Sequence, residues 1–358
     1  MSVTYPSTMA MPSVDSEVTE TGTLIAVPAA PAPKPSKAKQ VLGGLANAFA
    51  MLRNGKSITG LIIMSLFLLV AIFAPQIARF DPMLGDWFAL RSAPTATHWL
   101  GTDNLGRDIF SQLVWGTRTA MQVGIVAAVL ATFMAAFIGI LSGFLSGWAA
   151  EALSAFTNVF LIFPAMALII IVASMLTNPS LVLLAAVQAM LAWAGGARIM
   201  RAQTLSLRNR EFIQAARANG EPIWRIICVE MLPNLMALIA GTFSASFMGG
   251  VVGITSLTFL GILPITTPNW GSVLNFAQAG GAFTAGMWWW YVPAGILLAL
   301  MGTALSLIQF GIDEFVNPRL RSAGERRRAL KKRGIKLKDG TTQIVDLAEN
   351  PDLIVSEA

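Results

Sequence analysis

The sequence predicts an all-α, polytopic membrane protein with about six transmembrane helices. Of its 358 residues, 55% are hydrophobic and only 12% are charged, whereas soluble domains carry about 25% charged residues. Several apolar runs reach the roughly 20 residues that one helix needs to cross the hydrocarbon core of a bilayer. The basic residues cluster in segments that about six spans would place on one side of the membrane, as the positive-inside rule expects.

Apolar runs define the predicted spans in chain order. They cover residues 57–78, 119–147, 153–175, 181–200, 235–263 and 287–311. Asn158 and Pro164 interrupt the third run and Gln188 interrupts the fourth, so these two runs depart most from a continuous apolar helix. The predicted membrane domain therefore extends over residues 57–321.

Both ends of the chain are predicted to be cytoplasmic tails. Residues 1–56 are rich in Pro, Ala, Ser and Thr and cannot bury enough apolar surface to fold, so we expect disorder. A short apolar run at residues 24–27 faintly resembles a signal peptide, but it lacks a basic segment before it and is too short. Residues 322–358 are polar and basic, and they either lie on anionic membrane lipid or remain solvated.

The net charge of +6 does not indicate nucleic-acid binding. The basic residues lie in residues 34–56, 201–225 and 319–338. A nucleic-acid-binding protein would collect them on one exposed face, with aromatic residues between them. The distribution instead indicates a membrane topology in which both termini are cytoplasmic.

Glycines in the second predicted span indicate close helix packing. Gly139, Gly143 and Gly147 are four residues apart, so in one continuous helix they would lie on one face and let a neighbouring helix approach. We expect packing within the chain rather than at a subunit interface. The polar residues 79–116, between the first and second spans, are expected to lie outside the cell.

The loop between the fourth and fifth spans, residues 201–234, is charged and yet rich in helix-forming residues. Glu211 to Ala218 favours a helix, and Gly220 can take the left-handed conformation that ends it. Pro222 suits the first turn of a second helix, which Pro233 should end. Such a pair of short helices either docks on a soluble partner or lies on the lipid surface, and its spacing alone does not separate the two.

Three further motifs accompany this loop, and together they resemble one family. The loop carries Gln214-Ala215-Ala216, then Gly220, then Leu232-Pro233, and it resembles the cytoplasmic EAA loop of binding-protein-dependent ABC import permeases. The other segments resemble the dipeptide and oligopeptide branch, C-type subunit: HWLGTDNLGRD at residues 98–108, SLTFLG with PNWG at 256–261 and 268–271, and NPRLR at 317–321.

The resemblance implies a type I ABC importer permease fold and a place in a bacterial or archaeal cell (inner) membrane. It implies a heterodimer with a second permease, two ABC ATPase subunits that bind ATP and Mg, and an extracytoplasmic solute-binding protein; a homodimer remains an alternative. This chain would hold no cofactor and no ATPase site. The implied ATPase-coupling residues are Glu211, Gln214, Ala215, Ala216, Gly220, Pro222, Arg225, Leu232 and Pro233, and the implied outer-loop residues are Gly101, Thr102, Asp103, Gly106, Arg107 and Asp108.

Peptides are the cargo that the branch implies, with oligosaccharides or nickel as alternatives. The single histidine, His98, argues against nickel. Gln214 stands where the family has Glu, so an ion pair with the ATPase becomes at best a neutral hydrogen bond. Residues 50–57 match a loose P-loop, but a P-loop follows a strand within an α/β domain, and here a membrane span begins at once.

Other classes of function are less consistent with the chain. No Asp, Glu, Lys or Arg lies well inside a predicted span, which argues against a proton-coupled carrier. A passive channel would need polar or charged pore rings and would leave the charged loop unexplained. A membrane enzyme has one candidate group, His98 with Asp103 and Asp108. With one cysteine, Cys228, and one histidine, the sequence has no disulfide framework and no His/Cys metal cluster.

Overall fold

A computed structural model describes residues 55–176, 180–263 and 267–316. These residues belong to one compact unit that begins at Ala50. The two predicted tails lie outside the described residues except for Gly55 and Lys56, and so does the terminal motif at residues 317–321.

Helices account for almost all of the regular structure in the described part of the chain. They are α1 (Gly55–Ile72), α2 (Ala74–Ile77), α3 (Ile109–Phe144), α4 (Trp148–Ile162), α5 (Ala165–Met175), α6 (Leu181–Arg208), α7 (Glu211–Ala218), α8 (Ile223–Phe259), α9 (Trp270–Ala279) and α10 (Trp288–Val316). Five of them are long and apolar enough to cross a membrane, and α4 with α5 forms a bent pair that can supply a sixth span. The predicted fold class is confirmed.

Proline and a capping side chain move two span boundaries. The first predicted span is not one helix to residue 78, because α1 ends at Ile72 and the short α2, with Pro75 in its first turn, follows. The second span begins at Ile109 rather than at residue 119. The carboxylate of Asp108 caps this longer helix by accepting a hydrogen bond from the Ser111 backbone N–H.

The third predicted span is bent by 74° between α4 and α5. Pro164 stands at the bend with extended backbone angles. Because proline has no N–H to donate and its ring crowds the preceding turn, an α-helix cannot pass through it undisturbed. The proline that interrupted the apolar run therefore also breaks the helix.

The expectation that Pro233 ends the second helix of the loop is wrong. That helix and the fifth span form one element, α8, from Ile223 to Phe259. A π-helical turn at Ile226–Met231 directly precedes the proline, and the Leu232 N–H donates to the Ile227 carbonyl, five residues back. The wider turn accommodates the residue that lacks an N–H, so the helix continues.

The predicted role of Gly147 in helix packing is also wrong. Helix α3 ends at Phe144, and Gly147 stands before α4 with φ +70° and ψ −154°, a conformation that essentially only glycine adopts. No atom lies within 4 Å of where its Cβ would be. Gly139 and Gly143, in contrast, face α6: a Cβ on Gly139 would lie 2.6 Å from the Ala197 carbonyl oxygen.

Helix α3 is the central element of the bundle and packs along α6, α8 and α1. One hydrophobic core lies between α1, α3, α9 and α10 and contains the buried rings of Trp270 and Trp290. Another joins α3 to α6 around Trp193. These cores pack the long helices against one another. Two candidate sites lie at the ends of these helices, and a third lies between the helices.

Candidate functional site

The first candidate site is the α7 segment, residues 209–233, which contains α7 and the first turns of α8. Helix α7 ends in a Schellman motif: Gly220 has φ +71°, its N–H donates to the Arg217 carbonyl, and the Glu221 N–H donates to the Ala216 carbonyl. No atom lies within 4 Å of a Cβ built on Gly220. The glycine is therefore required by its backbone conformation and not by lack of space.

A small apolar core fastens the α7 segment to the end of α3. Its buried members are Phe144, Ile213, Ala216, Ile226 and Met231. The guanidinium carbon of Arg217 lies 4.5 Å from the centroid of the Phe144 ring, a distance at which a cation is attracted to the ring face. In addition, Arg208 donates to the Leu145 carbonyl at 2.9 Å. The segment is therefore a fixed part of the bundle.

The remaining face of the α7 segment is exposed. Of the residues proposed from the sequence, Ala216 is buried and Leu232 is half-buried, and the exposed ones are Glu211, Gln214, Ala215, Gly220, Pro222, Arg225 and Pro233. Four apolar side chains accompany them: Phe212 is 42% exposed, Ile223 55%, Trp224 66% and Val229 52%. The sequence analysis missed Phe212 and Trp224, although a tryptophan in a polar stretch was a signal for them.

Three details of the α7 segment differ from a simple amphipathic loop. Ile226 is buried in the core with Phe144, so its side chain is not available to a docking partner. Arg225 and Glu221 form only a loose ion pair, 3.8 Å between Nε and Oε2. Gln214 donates to the Asn209 carbonyl at 3.3 Å. The exposed face therefore carries both apolar side chains and charged ones, including Glu211, Arg217 and Arg225.

The second candidate site is the outer cap, residues 79–108, and Asp103 lies at its centre. The Asp103 carboxylate is fully buried and accepts hydrogen bonds from the Leu105 and Arg107 backbone N–H groups, from Arg107 Nε at 2.7 Å and from Gln112 Nε2 at 3.0 Å. A buried carboxylate requires this degree of pairing. The outer-loop motif therefore forms a buried hydrogen-bond network that holds the cap to the start of α3.

The other motif residues complete the same network. Asp108 accepts from the Ser111 N–H and hydroxyl, and its other oxygen lies 3.0 Å from His98 Nδ1. The Thr102 hydroxyl donates to the Ala89 carbonyl. Gly101 and Gly106 have positive φ of +71° and +75°, where glycine is favoured.

Because the polar groups of the motif are buried and largely paired with each other, few of them face solvent. His98, the candidate group of the enzyme hypothesis, is 6% exposed and paired with Asp108, so it offers little surface to a substrate. Groups of three or more His, Cys, Asp or Glu that could hold a metal ion are absent from the described residues. The exposed surface of the cap is instead apolar at Leu84, Trp87 and Phe88.

The third candidate site is the membrane cavity, a space of about 590 Å³ between α3, α6, α8 and α10. Most of its lining is alanine and glycine, and its polar members are Gln188, Thr242, Ser246, Gln309 and Asp313. Along α8 it extends from Ala237 to Gly250, about 20 Å at 1.5 Å per residue. The cavity thus extends along much of the membrane domain.

Gln188 is the polar side chain that α6 contributes to the membrane cavity. Its Nε2 donates to the Gly249 carbonyl of α8 at 3.0 Å, while its buried Oε1 has no partner among the described residues. A Cβ on Gly253 would collide with the amide, so the side chain lies directly on α8. From the sequence, Gln188 was only an interruption of an apolar run. Its place in a cavity was not predictable, because most of the cavity lining comes from other helices.

Comparison with known proteins places most of this bundle in one group. Residues 135–322 match the family model described as binding-protein-dependent transport system inner membrane component. The dipeptide transport system permease protein DppC of Alkalihalophilus pseudofirmus is 31% identical over 277 residues, 77% of this chain and 90% of that protein. The oligopeptide transport system permease protein OppC of Bacillus subtilis is 30% identical over 276 residues, 76% of this chain and 89% of that protein. The di/tripeptide transport system permease protein DppC of Pseudomonas aeruginosa is 28% identical over 277 residues, 75% and 90% respectively.

Proposed function

Because this chain belongs to the family of binding-protein-dependent transport system inner membrane components, we propose that it is the permease subunit of an ATP-driven importer that carries di- or oligopeptides into the cell. The relatives named for dipeptide and oligopeptide transport support this cargo. ATP would be hydrolysed by separate ATPase subunits, and an extracytoplasmic binding protein would deliver the peptide.

The continuity of α8 is the observation that carries the proposal. One helix runs from Ile223 in the α7 segment to Phe259 without a break, and its residues from Ala237 to Gly250 line the membrane cavity. We propose that a movement of the α7 segment is passed along this continuous helix to the cavity wall. This is the mechanical link that an importer driven by separate ATPases requires.

The exposed face of the α7 segment is the proposed ATPase contact. Phe212, Ile223 and Trp224 supply apolar area, and aromatic side chains commonly anchor protein interfaces. The core with Phe144 holds that face to α3, so the segment moves together with the membrane helices. When two ATPases close on ATP, the two α7 segments of a permease pair would be drawn together.

The membrane cavity is the proposed peptide path. Its small lining residues leave room for side chains of different size, and the amides of Gln188 and Gln309 can exchange hydrogen bonds with peptide groups. Alternating access follows if the motion of α8 opens this cavity first to one side of the membrane and then to the other. Selection among peptides would then rest largely on the binding protein.

Transport by the purified complex tests the proposal. The chain, isolated with its native partners and reconstituted in vesicles, should accumulate a labelled di- or oligopeptide with ATP and binding protein present, and not with a non-hydrolysable ATP analogue. Labelled oligosaccharide and nickel serve as competing cargoes in matched vesicles. Peptide flux that is independent of ATP would identify a passive channel and overturn the proposal, as would uptake of sugar or nickel without uptake of any peptide.

A further inference from the structure

A second pocket, separate from the membrane cavity, lies between α3, α4 and α6. Its volume is about 260 Å³. We call it the basic pocket, and its polar lining residues are Ser142, Ser154, Thr157, Asn158, Arg198 and Arg201. No residue of this set belongs to the coupling or outer-loop motifs, and the proposed peptide transport makes no use of it.

The basic pocket has positive charge without a matching carboxylate. Neither Arg198 nor Arg201 lies within 4.0 Å of a carboxylate oxygen among the described residues. The nearest acid along α4 is Glu151, one turn before Ser154, and it too forms no ion pair there. Two guanidinium groups with hydroxyl and amide groups around them form a site that is complementary to an anion.

One arginine donor is buried with no partner. The Nε of Arg201 is inaccessible to solvent and makes no hydrogen bond to any described residue, and the same holds for the buried hydroxyl of Thr204, one turn further along α6. A buried charged donor is unfavourable unless it is paired. The guanidinium fork matches two oxygens of a phosphate group, so a phosphate in the pocket would satisfy Arg201.

The pocket lies at the depth of lipid headgroups. Arg198 and Arg201 follow the start of α6 at Leu181 by about 26 and 30 Å at 1.5 Å per residue, which is the far boundary of a hydrocarbon core about 30 Å thick. Trp148 at the start of α4 is 82% exposed, as expected of a residue at the membrane–water interface. The positive-inside rule places this end of α6 on the cytoplasmic side.

Apolar surface continues from the pocket toward the bilayer centre. Leu161 lies one turn beyond Thr157 and Asn158 on α4 and is 40% exposed. Leu205 of α6, which also lines the pocket and is 38% exposed, lies one turn past Arg201 on the cytoplasmic side. A ligand with a phosphate and an acyl chain would find a partner for each part, whereas a free phosphate would leave the apolar surface uncovered.

We propose that the basic pocket binds the phosphate headgroup of an anionic phospholipid from the cytoplasmic leaflet. Arg198 and Arg201 bind the phosphate, and Ser154 and Asn158 hydrogen-bond to hydroxyl groups of the headgroup. Because the pocket bridges α4 and α6, the bound lipid fixes α4 against the helix that also carries Gln188 of the membrane cavity. Basic pockets between membrane helices on the cytoplasmic side are suited to such headgroups. The site is independent of the cargo.

Native mass spectrometry of the intact complex tests the site. The complex is titrated in mild detergent with phosphatidylglycerol, with phosphatidylcholine of the same acyl chains, and with inorganic phosphate. We expect at least ten-fold tighter binding of phosphatidylglycerol than of either other ligand. Arg198→Gln and Arg201→Gln, alone and together, should abolish this preference, and Arg210→Gln should keep it, because Arg210 is exposed on the same side of the protein but outside the pocket.

Three outcomes would overturn the assignment. Equal binding of the two lipids, or a double variant that retains the preference, would show that the arginines do not form a headgroup site. Binding of inorganic phosphate as tight as that of phosphatidylglycerol would show that the ligand comes from the cytosol and not from the bilayer. Assembly of each variant is read from the mass of the complex, and Arg198→Gln, an exposed position, provides the test if Arg201→Gln fails to assemble.

Discussion

Gly220 shows how one residue sets the geometry of the α7 segment. Its φ of +71° allows α7 to end and α8 to start within a few residues, and the backbone N–H groups of Gly220 and Glu221 satisfy the last carbonyls of α7. An L-residue in this conformation costs about 1–2 kcal/mol, and a β-branched one is a clear outlier there. The direction in which α8 leaves the α7 segment therefore depends on this position.

The first prediction concerns this residue. Gly220→Val should lower ATP-dependent peptide uptake at least ten-fold in reconstituted vesicles, because the altered turn moves Ile223 and Trp224 out of the proposed ATPase contact. Gly55→Val is the matched control: Gly55 starts α1, is not among the glycines with positive φ, and has no atom within 4 Å of its Cβ position. Normal uptake by Gly220→Val, with the same amount of protein in the membrane, would contradict the coupling role of the turn.

Gln214 has a defined hydrogen bond within its own segment, and its proposed partner is the ATPase. Its side chain is exposed and donates to the Asn209 carbonyl within its own segment. A carboxylate at this position would accept and not donate. In the proposed complex Gln214 therefore offers the ATPase a neutral amide, and the contact would depend more on the apolar face that includes Trp224.

At the scale of elements, the outer cap is held by a buried ion pair and not by regular secondary structure. Arg107 Nε lies 2.7 Å from the Asp103 carboxylate, and both side chains are at most 5% exposed. The guanidinium carbon of Arg107 also lies 4.0 Å from the centroid of the Phe276 ring in α9. The cap is thereby joined to α3 and α9 at once.

The second prediction follows from this pairing. Asp103→Asn leaves the buried Arg107 without its counter-ion and should lower the free energy of unfolding by about 3–5 kcal/mol, measured by denaturant titration in detergent. Asp86→Asn is the control, because the Asp86 carboxylate is exposed and accepts a hydrogen bond from the nearby Phe88 N–H, a contact that the Asn side-chain oxygen can keep; its effect should stay below about 1 kcal/mol. Equal, small effects of both changes would contradict the structural role of Asp103.

Helix α8 joins two regions that the sequence analysis treated separately, the charged loop and the fifth span. Its first turns belong to the α7 segment and its centre lines the membrane cavity. The π-helical turn at Ile226–Met231 joins the two parts and accommodates Pro233. Such turns are frequent at functional sites, and here the turn occupies the one place where the proposed ATPase contact meets the membrane helix.

At the scale of the whole molecule, a single chain forms only part of the proposed transporter. The membrane cavity is bounded by four helices of this chain, and a second permease would enclose the peptide path. The exposed apolar side chains of the α7 segment and of the outer cap lie at separate ends of the chain's helices, and the resemblance assigns one to the ATPase and the other to the outside. The proposed assembly thus uses different surfaces for different partners.

The third prediction concerns this assembly. Tagged chain purified from its native membrane in mild detergent should retain a second permease, one or two P-loop ATPases and a solute-binding protein, identified by mass spectrometry. Trp224→Ala should reduce the recovered ATPase at least five-fold, because it removes the most exposed aromatic ring of the α7 segment.

The matched control for this experiment is Trp148→Ala. Trp148 is also exposed, at 82%, and lies at the start of α4 outside the α7 segment. ATPase recovery should therefore remain normal with this variant. Recovery of the chain alone from several preparations, or equal ATPase recovery with both variants, would contradict the proposed contact.

Local features of the chain were sufficient for the class of fold and for part of the α7 segment. The length and hydropathy of the apolar runs predicted the spans, because each helix satisfies its own backbone hydrogen bonds within the bilayer. The left-handed turn at Gly220 was predictable because backbone conformation is decided within a few residues. The motif at residues 98–108 was recognised as a unit, but its sequence did not reveal that Asp103 and Asp108 are buried.

Only the tertiary structure decided which residues meet. It placed Gly139 and Gly143 against α6 and left Gly147 in a turn, it carried α8 through Pro233 by way of a π-helical turn, and it gathered Gln188, Gln309 and Ser246 around one cavity. Contacts between helices depend on how the whole bundle packs. The hydropathy and helix propensity of one segment do not specify that packing. The sequence by itself therefore determined the membrane class, the presence of five to six spans and the turn at Gly220, and the packing of α3, α6, α8 and α10 determined where the polar groups converge.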